Sequence, residues 1–212
     1  MTLADQQASK ERAQRKEIGT KSGHRRHAMV EVGCDYHCGA GCGASIRTFA
    51  IESFYIPSLS MYPALHEGDK VLVNKLSYDF LGIHVGDVVV FRRPPRDTDT
   101  DVDDLIKRVV ALGGETMYVN NCAIYINGKE EAQSWLPKGW QNATSPYCTT
   151  WDNEPGMLNL LNPYLVPEGD VFVMGDNRTG SYDSRYWGPL SDSYIVGRAV
   201  LRFWPLGRVG SL

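Results

Sequence analysis

The sequence predicts a mostly β protein, with a two-lobed, barrel-like core of antiparallel sheet and a small inserted lobe of strands and loops. Short apolar runs rich in Val, Ile, Phe and Tyr recur from residue 51 onward, as β-strands require. Three of these runs, at 67–73, 85–91 and 168–174, share a Gly-Asp turn that leads into the strand. The segment 118–129 adds Asn-Asn and Asn-Gly pairs, which are typical of hairpin turns.

The same pattern places each strand in order along the chain. An aromatic and aliphatic strand ends before Pro57, and the later runs are KVLVNKLSY (70–78), DVVVFRR (87–93), DLIKRVVAL (104–112), TMYV (116–119), AIYI (123–126), DVFVMGD (170–176) and RAVLRFW (198–204). A hairpin at Asn120-Asn121 and a type I′ turn at Asn127-Gly128 are predicted between them. The acidic segment 96–104 is predicted to be a solvated loop, and 130–165 a loop-rich excursion without clear period.

Charge and composition divide the chain into three predicted parts. Residues 1–27 carry a net charge of about +4 by count, whereas the remainder carries about −7, so the body is not a nucleic-acid-binding domain. We expect 1–46 to be a basic, disordered tail. The β core is expected to comprise 47–117 and 166–212, and the inserted lobe 118–165.

No apolar segment of the chain predicts a signal peptide or a transmembrane helix. Residues 1–27 contain no apolar core. The longest uncharged stretch between Ala28 and Ala50 is eleven residues, and it is rich in glycine, whereas a bilayer span needs about 20 apolar residues.

The five cysteines fall into two groups. Cys122 and Cys148 stand apart in the body, either as two buried thiols or as a disulfide that implies an oxidising compartment. Cys34, Cys38 and Cys42 recur every four residues beside His37, a spacing that on a helix would place three thiols on one face. Four glycines in 33–43 oppose a helix, and known metal sites favour a C-x₂-C spacing, so a linker is preferred over a metal site.

The stretch PSLSMYP (57–63) holds two serines in a turn bracketed by prolines. Proline fixes φ and removes a backbone donor, so Ser58 and Ser60 are held rigidly. For an isolated S-x-S motif the simpler interpretation is a serine-rich β-turn at a strand end, so the rest of the chain must decide between the two. If Ser60 is a nucleophile, it needs a base, and none of the five histidines has a neighbouring carboxylate pattern that would orient it.

A lysine is the alternative base, provided that burial removes its charge. Strand alternation in DLIKRVVAL places Lys107 on one face with Leu105 and Val109, an unusual choice for a surface charge, although lysines that extend to solvent from strands are common. The third candidate stretch is MGDNRTGSYDSRYWGPLS (174–191). It is either a polar loop closed by ion pairs or a hydrogen-bonded scaffold that places Ser181 beside the base.

Taken together, PSLSMYP (57–63), IKRVVALGGE (106–115) and GDNRTGSYDSRYWG (175–188) resemble the type I signal peptidases, the membrane-bound Ser/Lys proteases that remove signal peptides. The resemblance covers about 47–208. It implies that Ser60 is the nucleophile and Lys107 the general base, with an acyl-enzyme intermediate and no metal or cofactor. Ser58 and the Ser60 N–H match the oxyanion hole, and Ser181 matches the serine that orients the lysine.

The resemblance also implies supporting residues, substrate pockets and a location. A polar network matches Asp176, Asp183 and Arg185, and shallow pockets for small side chains at −1 and −3 match Phe54, Ile56, Pro57, Met61, Leu65, Leu105 and Ile106. The implied partners are signal peptides of exported preproteins and a lipid bilayer surface, without nucleic acid. The resemblance also implies a monomer at the cytoplasmic membrane, with its catalytic body on the extracytoplasmic face. In this setting a Cys122–Cys148 disulfide would persist and hold the inserted lobe.

The chain departs from the family pattern at two places. Leu59 stands where the family usually carries Gly, which bears on the oxyanion turn and on Ser58. The apolar anchor expected before residue 47 is replaced by GCDYHCGAGCGAS (33–45). Three other classes remain as alternatives: a self-cleaving repressor-type Ser/Lys protease, which would need a DNA-binding segment that 1–46 lacks, an inactive peptide-binding module, and a redox or metal protein built on the cysteines.

Overall fold

The computed structural model describes residues 50–97, 102–120, 123–138, 140 and 156–212. All five cysteines lie outside the described residues, so the disulfide and the cysteine cluster remain predictions. The predicted basic tail also lies outside them. Among the described residues, no helix is long and apolar enough to cross a bilayer.

The fold is mostly β and antiparallel, as predicted. The larger sheet has eight strands in the order β1-β2-β11-β3-β4-β9-β10, with β12 paired to β11. Its strands are β1 (Ile51–Tyr55), β2 (Lys70–Asn74), β3 (Val88–Arg92), β4 (Asp104–Leu112), β9 (Asp170–Met174), β10 (Leu190–Ser191), β11 (Ile195–Trp204) and β12 (Gly210–Ser211).

A smaller sheet has the order β7-β6-β5-β8. Its strands are β5 (Thr116–Asn120), β6 (Ala123–Ile126), β7 (Lys129–Glu130) and β8 (Tyr164–Leu165). Two single helical turns, α1 (Ser77–Phe80) and α2 (Ser184–Trp187), and three short 3₁₀ turns complete the described elements.

The turns follow the glycine and asparagine chemistry of the sequence. Gly68, Gly86 and Gly169 all have positive φ, so each Gly-Asp turn uses a backbone conformation that glycine favours. Asn127 and Gly128 also both have positive φ, as a type I′ turn requires. The first hairpin differs from the prediction in one residue, because Asn120 belongs to β5 and pairs with Ala123 instead of lying in the turn.

One predicted strand is too long. β2 ends at Asn74, because the Asn74 side chain accepts the Leu76 N–H at 3.0 Å and turns the chain out of the sheet. The last residues of KVLVNKLSY form the α1 turn instead. The two-residue strands β7, β8, β10 and β12 were not predicted, since they are too short to show a period.

Three apolar clusters hold the sheets together, and two of them lie against the larger sheet. One contains Ile56, Met61, Leu65, Val71, Val73, Val88, Val90, Ile106 and Ala199. Another contains Val89, Phe91, Val109, Val171, Val173, Trp187 and Leu190. Residues of β3 alternate between these clusters, so both faces of this central strand are buried and its four apolar residues are continuous in sequence. The third cluster joins the smaller sheet to Val110, Ala111, Phe172 and Met174.

Candidate active site

The serine turn is fixed at the end of β1. Ile56 exchanges backbone hydrogen bonds with the segment before β2, donating to Asp69 O and accepting from Gly68 N, both at 2.9 Å. Within the turn, Tyr62 N donates to Leu59 O and Leu65 N donates to Met61 O. Met61 and Leu65 are fully buried, so their apolar side chains anchor the turn that presents Ser60.

Lys107 reaches Ser60 from β4. Its Nζ lies 3.0 Å from Ser60 Oγ and 3.0 Å from the Ile106 carbonyl oxygen. The side chain is buried, and burial lowers the pKa of Lys107 from its ordinary 10.5 to about 8. The negative charges of Asp183 and Asp97 oppose this shift, and the positive charge of Arg185 adds to it.

The remaining residues of the turn lie around this contact. Ser58 Oγ is 3.3 Å from Ser60 Oγ, on the exposed side. Leu59 is half exposed, and Asn127 is the sole non-glycine with positive φ among the described residues. The backbone at Leu59 therefore does not require glycine, and the departure from the family pattern introduces no strain there.

Asp183 and Arg185 form a buried ion pair behind the lysine. Arg185 Nε donates to Asp183 Oδ1 at 2.8 Å and Nη2 donates to Oδ2 at 2.9 Å. Asp183 also accepts from Gly175 N and caps α2 by accepting from Arg185 N. Burial by itself raises the pKa of Asp183, but the Arg185 charge and these hydrogen bonds outweigh it and hold the pKa below its usual value.

A second buried ion pair joins β4 to the end of β9. Arg108 donates to both carboxylate oxygens of Asp176, at 2.9 and 2.7 Å, and to the Gly86 carbonyl at 2.7 Å. Arg108 also lies 5.3 Å from the ring centre of Trp135. Because Arg108 directly follows Lys107, this bidentate pair fixes the strand that carries the lysine.

Asn177 and Gly175 connect the serine turn to the 175–188 segment, and sequence reasoning missed both. Asn177 N donates to Ser60 O at 3.1 Å, and its Nδ2 donates to Leu59 O at 3.2 Å. A side chain on Gly175 would overlap Ser60 O and Ser181, so only glycine allows this close approach. The sequence feature that could have identified them is a glycine and an asparagine in the run of polar residues that directly follows an apolar strand.

Ser181 lies in the predicted place but does not bond the lysine. Its Oγ is buried against Gly175 and lies beside the Asp183 carboxylate, where it helps to lower the pKa of Asp183. Its carbonyl oxygen accepts from Arg185 Nη2 at 3.1 Å, which ties Ser181 to the Asp183–Arg185 pair. The hydroxyl is therefore adjacent to the polar network without the predicted hydrogen bond to Lys107.

A small cavity of about 100 Å³ opens beside Ser60 and Lys107. Of the predicted pocket residues, five line it: Phe54, Ile56, Pro57, Leu105 and Ile106. The other two, Met61 and Leu65, do not line it; they lie fully buried in the apolar cluster that also contains Ile56 and Ile106. They support the wall of the cavity from behind.

The two described histidines lie away from Ser60 and Lys107. His66 stacks on Tyr62 at 4.9 Å and His84 lies near Asp87, while neither lines the cavities around Ser60. Within the described ranges, no three His, Cys, Asp or Glu side chains are grouped so that they could hold a metal ion.

Comparison with known proteins identifies a family. The chain matches the family described as "Signal peptidase, peptidase S26" over residues 32–204. It is 41% identical over 171 residues to "Probable signal peptidase I-1" of Synechocystis sp., covering 79% of this chain and 78% of that protein. It is 38% identical over 170 residues to "Signal peptidase I" of Leptolyngbya laminosa, covering 79% and 75%, and 33% identical over 162 residues to "Signal peptidase I" of Bacillus caldolyticus, covering 76% and 84%.

Proposed function

Because the chain belongs to the signal peptidase family, peptidase S26, whose members are serine endopeptidases that remove signal peptides, we propose that Ser60 is its nucleophile and Lys107 its general base. The observation that carries this assignment is the 3.0 Å contact between Lys107 Nζ and Ser60 Oγ at a buried lysine. A proton acceptor at hydrogen-bond distance from a hydroxyl is what activation of a serine requires.

The lowered pKa of Lys107 provides the base. With a pKa of about 8, roughly a tenth of the lysine is neutral at pH 7, compared with well under a thousandth at the ordinary value. The neutral amine takes the Ser60 proton while Oγ attacks the scissile carbonyl carbon. Lys107 then gives this proton to the leaving amine as the C–N bond breaks, and an acyl-enzyme remains on Ser60.

Water completes the cycle by the same proton transfers. Lys107 takes a proton from water, which attacks the acyl carbon, and returns it to Ser60 Oγ as the signal peptide is released. We propose that the Ser58 hydroxyl and the Ser60 N–H stabilise the oxyanion in both steps. The closeness of the two hydroxyls supports this role, and each such donor contributes about 3–4 kcal/mol in comparable proteases.

The polar network positions these two groups. We propose that the Asp183–Arg185 and Arg108–Asp176 pairs hold Lys107 in place, and that Ser181 keeps the lysine amine oriented once substrate closes the site. Ser181 Oγ and the Ser60 carbonyl both lie against Gly175, which supports a role of this hydroxyl next to the dyad. No metal or cofactor enters any step of this reaction.

The apolar cavity accounts for substrate choice. We propose that Phe54, Ile56, Pro57, Leu105 and Ile106 receive the small side chains at −1 and −3 of the cut, with Met61 and Leu65 as the support behind them. The small volume of the cavity, about 100 Å³, favours small side chains over large ones.

We infer that the protein acts as a monomer at the cytoplasmic membrane, with its catalytic body on the extracytoplasmic face and against the lipid surface. The family is membrane-associated. Exposed apolar side chains near the end of β11, at Trp204, Leu206 and Val209, support contact with lipid.

Cleavage of a purified preprotein, followed by mass spectrometry, tests the assignment. We expect Ser60→Ala and Lys107→Ala each to abolish cleavage while the fold is retained, and the double variant to be no worse than either, because the two side chains act as a unit. Ser193→Ala and Lys129→Ala are matched controls at exposed positions outside the site and should cleave normally. Robust cleavage by Lys107→Ala would refute the lysine base, and binding of the preprotein without cleavage by the unaltered chain would favour an inactive module.

A further inference from the structure

Trp135 packs against the strand that carries the lysine, although it belongs to the segment that follows β7. Its ring centre lies 5.3 Å from the guanidinium carbon of Arg108, the residue next to Lys107. The same ring lies against Gly86, where an added Cβ would be 3.3 Å from it. Because Arg108 Nη1 donates to Gly86 O at 2.7 Å, the indole is in contact with both partners of that hydrogen bond.

Trp140 reaches the serine turn from the same segment. Its ring centre lies 5.9 Å from that of Tyr62, with the rings tilted by 37°, a separation at which aromatic pairs attract. Tyr62 in turn stacks on His66 at 4.9 Å, and its N–H donates to Leu59 O at 3.0 Å. Ser60 lies inside this turn, so Trp140 contacts the element that presents the nucleophile.

Two successive turns join the two tryptophans. In the first, Leu136 N donates to Gln133 O at 3.0 Å, and in the second, Trp140 N donates to Pro137 O at 3.1 Å. The side chains of Gln133 and Leu136 are buried, and Pro137 restricts the backbone between the turns. The described residues 131–138 and 140, here called the tryptophan segment, therefore hold the two rings at a defined spacing.

The position of Ser60 relative to Lys107 depends on two separate elements. The two residues of this dyad are 47 apart in the chain, and their side chains meet at 3.0 Å between the serine turn and β4. Proton transfer needs this distance, and a displacement of about 1 Å costs about 10²-fold in rate. A segment that contacts both elements therefore limits their displacement relative to each other.

We propose that the tryptophan segment positions the dyad, with Trp135 holding β4 and Trp140 holding the serine turn. Both are positioning residues, because their rings contact neighbours of the dyad and not the reacting atoms. Neither ring is among the residues that line the cavities at the dyad, so its removal should lower kcat and leave KM nearly unchanged. This inference rests on the proposed function, because it assumes catalysis by the dyad.

Single leucine variants test the two contacts by steady-state cleavage of a signal-peptide substrate, well below the melting temperature of each variant. We expect Trp135→Leu and Trp140→Leu each to lower kcat about tenfold, which corresponds to about 1.4 kcal/mol, and to change KM by less than about twofold. Trp135→Phe and Trp140→Phe keep an aromatic ring at each contact, so their kcat should stay within about threefold of the unaltered protein.

Tyr125→Leu is the matched control, because it removes a ring contact within the smaller sheet, where Tyr125 stacks on Tyr118 at 4.7 Å. It should lower the melting temperature and leave kcat unchanged. If one leucine variant does not fold, the other decides, since both carry the same expectation.

Three results would each overturn the positioning role: a normal kcat in folded Trp135→Leu or Trp140→Leu, an equal loss in the phenylalanine variants, or an equal loss in Tyr125→Leu. Absence of cleavage by the unaltered protein, or cleavage by Ser60→Ala, would instead overturn the proposed function.

Discussion

In its proposed role as general base, Lys107 combines a catalytic requirement with a cost to stability. Its folded-state pKa of about 8 lies below the ordinary 10.5 of an unfolded chain, so the unfolded state binds the proton more tightly. The penalty is full below about pH 8, decreases as the pH rises towards 10.5, and vanishes above that value. A difference of this size corresponds to roughly 3 kcal/mol at most.

We therefore expect Lys107→Met to be inactive and yet more stable than the unaltered protein. Methionine has a similar length without charge, so the free energy of unfolding should rise by up to roughly 3 kcal/mol at pH 6–7 and by little at pH 10.5. Urea unfolding at several pH values measures this difference in stability.

In the unaltered protein, kcat/KM should rise with pH through an apparent pKa near 8. A pH-independent stability difference or a flat activity profile would contradict a buried, titrating lysine.

Gly175 makes a second prediction at the residue scale. A Cβ at this position would overlap the Ser60 carbonyl and the Ser181 side chain, so Gly175→Ala must displace the serine turn. Because misplacement of a nucleophile by about 1 Å costs about 10²-fold in rate, we expect a loss of at least that size in kcat. Gly207→Ala is the matched control, since a Cβ there meets no atom within 4 Å. Equal kcat values for the two variants would show that the turn tolerates the displacement.

The site residues differ in how far the sequence predicts them. Ser60 and Lys107 are visible because their types and neighbours are unusual, a serine between prolines and a lysine in an apolar strand. The sequence does not reveal Asn177 as a candidate site residue, because its role depends on hydrogen bonds to the Leu59 and Ser60 carbonyls, which lie 118 and 117 residues away in the chain. Asp97 differs from the prediction in another way: its segment is predicted to be a solvated loop, yet Asp97 is buried, because the burial of a loop side chain depends on the surrounding fold.

Among the strands and turns, the predictions that the structure confirms depend on local sequence features, namely apolar runs and turn-forming glycines. Strands such as β3 and β9 show continuous apolar residues, and each follows a glycine with positive φ at Gly86 and Gly169. β10 and β12 are two residues long, so neither can show a period, and they exist because β9 and β11 offer free edges. The α2 turn escaped prediction because its one cap, Asp183, also belongs to the polar network.

The predicted Cys122–Cys148 disulfide can be tested at this scale. The smaller sheet contains only short strands, so a covalent link closing about 26 residues should stabilise it by roughly 3–4 kcal/mol. Reduction should lower the melting temperature, and Cys122→Ser should reproduce this shift, while Ser60 remains reactive towards substrate. Peptide mapping without reductant identifies the pair. Two free thiols, or Cys122 paired with Cys34, Cys38 or Cys42, would show that the prediction is wrong.

For the whole molecule, the order of strands could not be predicted from local patterns. β11 inserts between β2 and β3, although more than 100 residues separate it from either strand. This arrangement brings Trp204 opposite Lys70, which in turn pairs with Tyr55, so the end of β11 lies at the end of the sheet that carries the serine turn. Apolar side chains there are exposed, including Trp204 at 48% and Leu206 at 74%.

This position supports the proposal that the same end of the sheet meets lipid, because the cut site of a signal peptide lies near the bilayer surface. If Trp204 and Leu206 enter the interface, their replacement by serine should weaken binding of the full chain to phosphatidylcholine–phosphatidylglycerol vesicles by at least about tenfold, since burial of one such side chain contributes about 1.5–3 kcal/mol. Cleavage of a soluble peptide should not change, because neither side chain lines the cavities at Ser60.

The control is Leu165→Ser, at a similarly exposed leucine on the smaller sheet, which should bind vesicles normally. Vesicle flotation and cleavage of a membrane-inserted preprotein measure both effects, and equal losses in the Trp204/Leu206 and Leu165 variants would assign lipid contact to another surface.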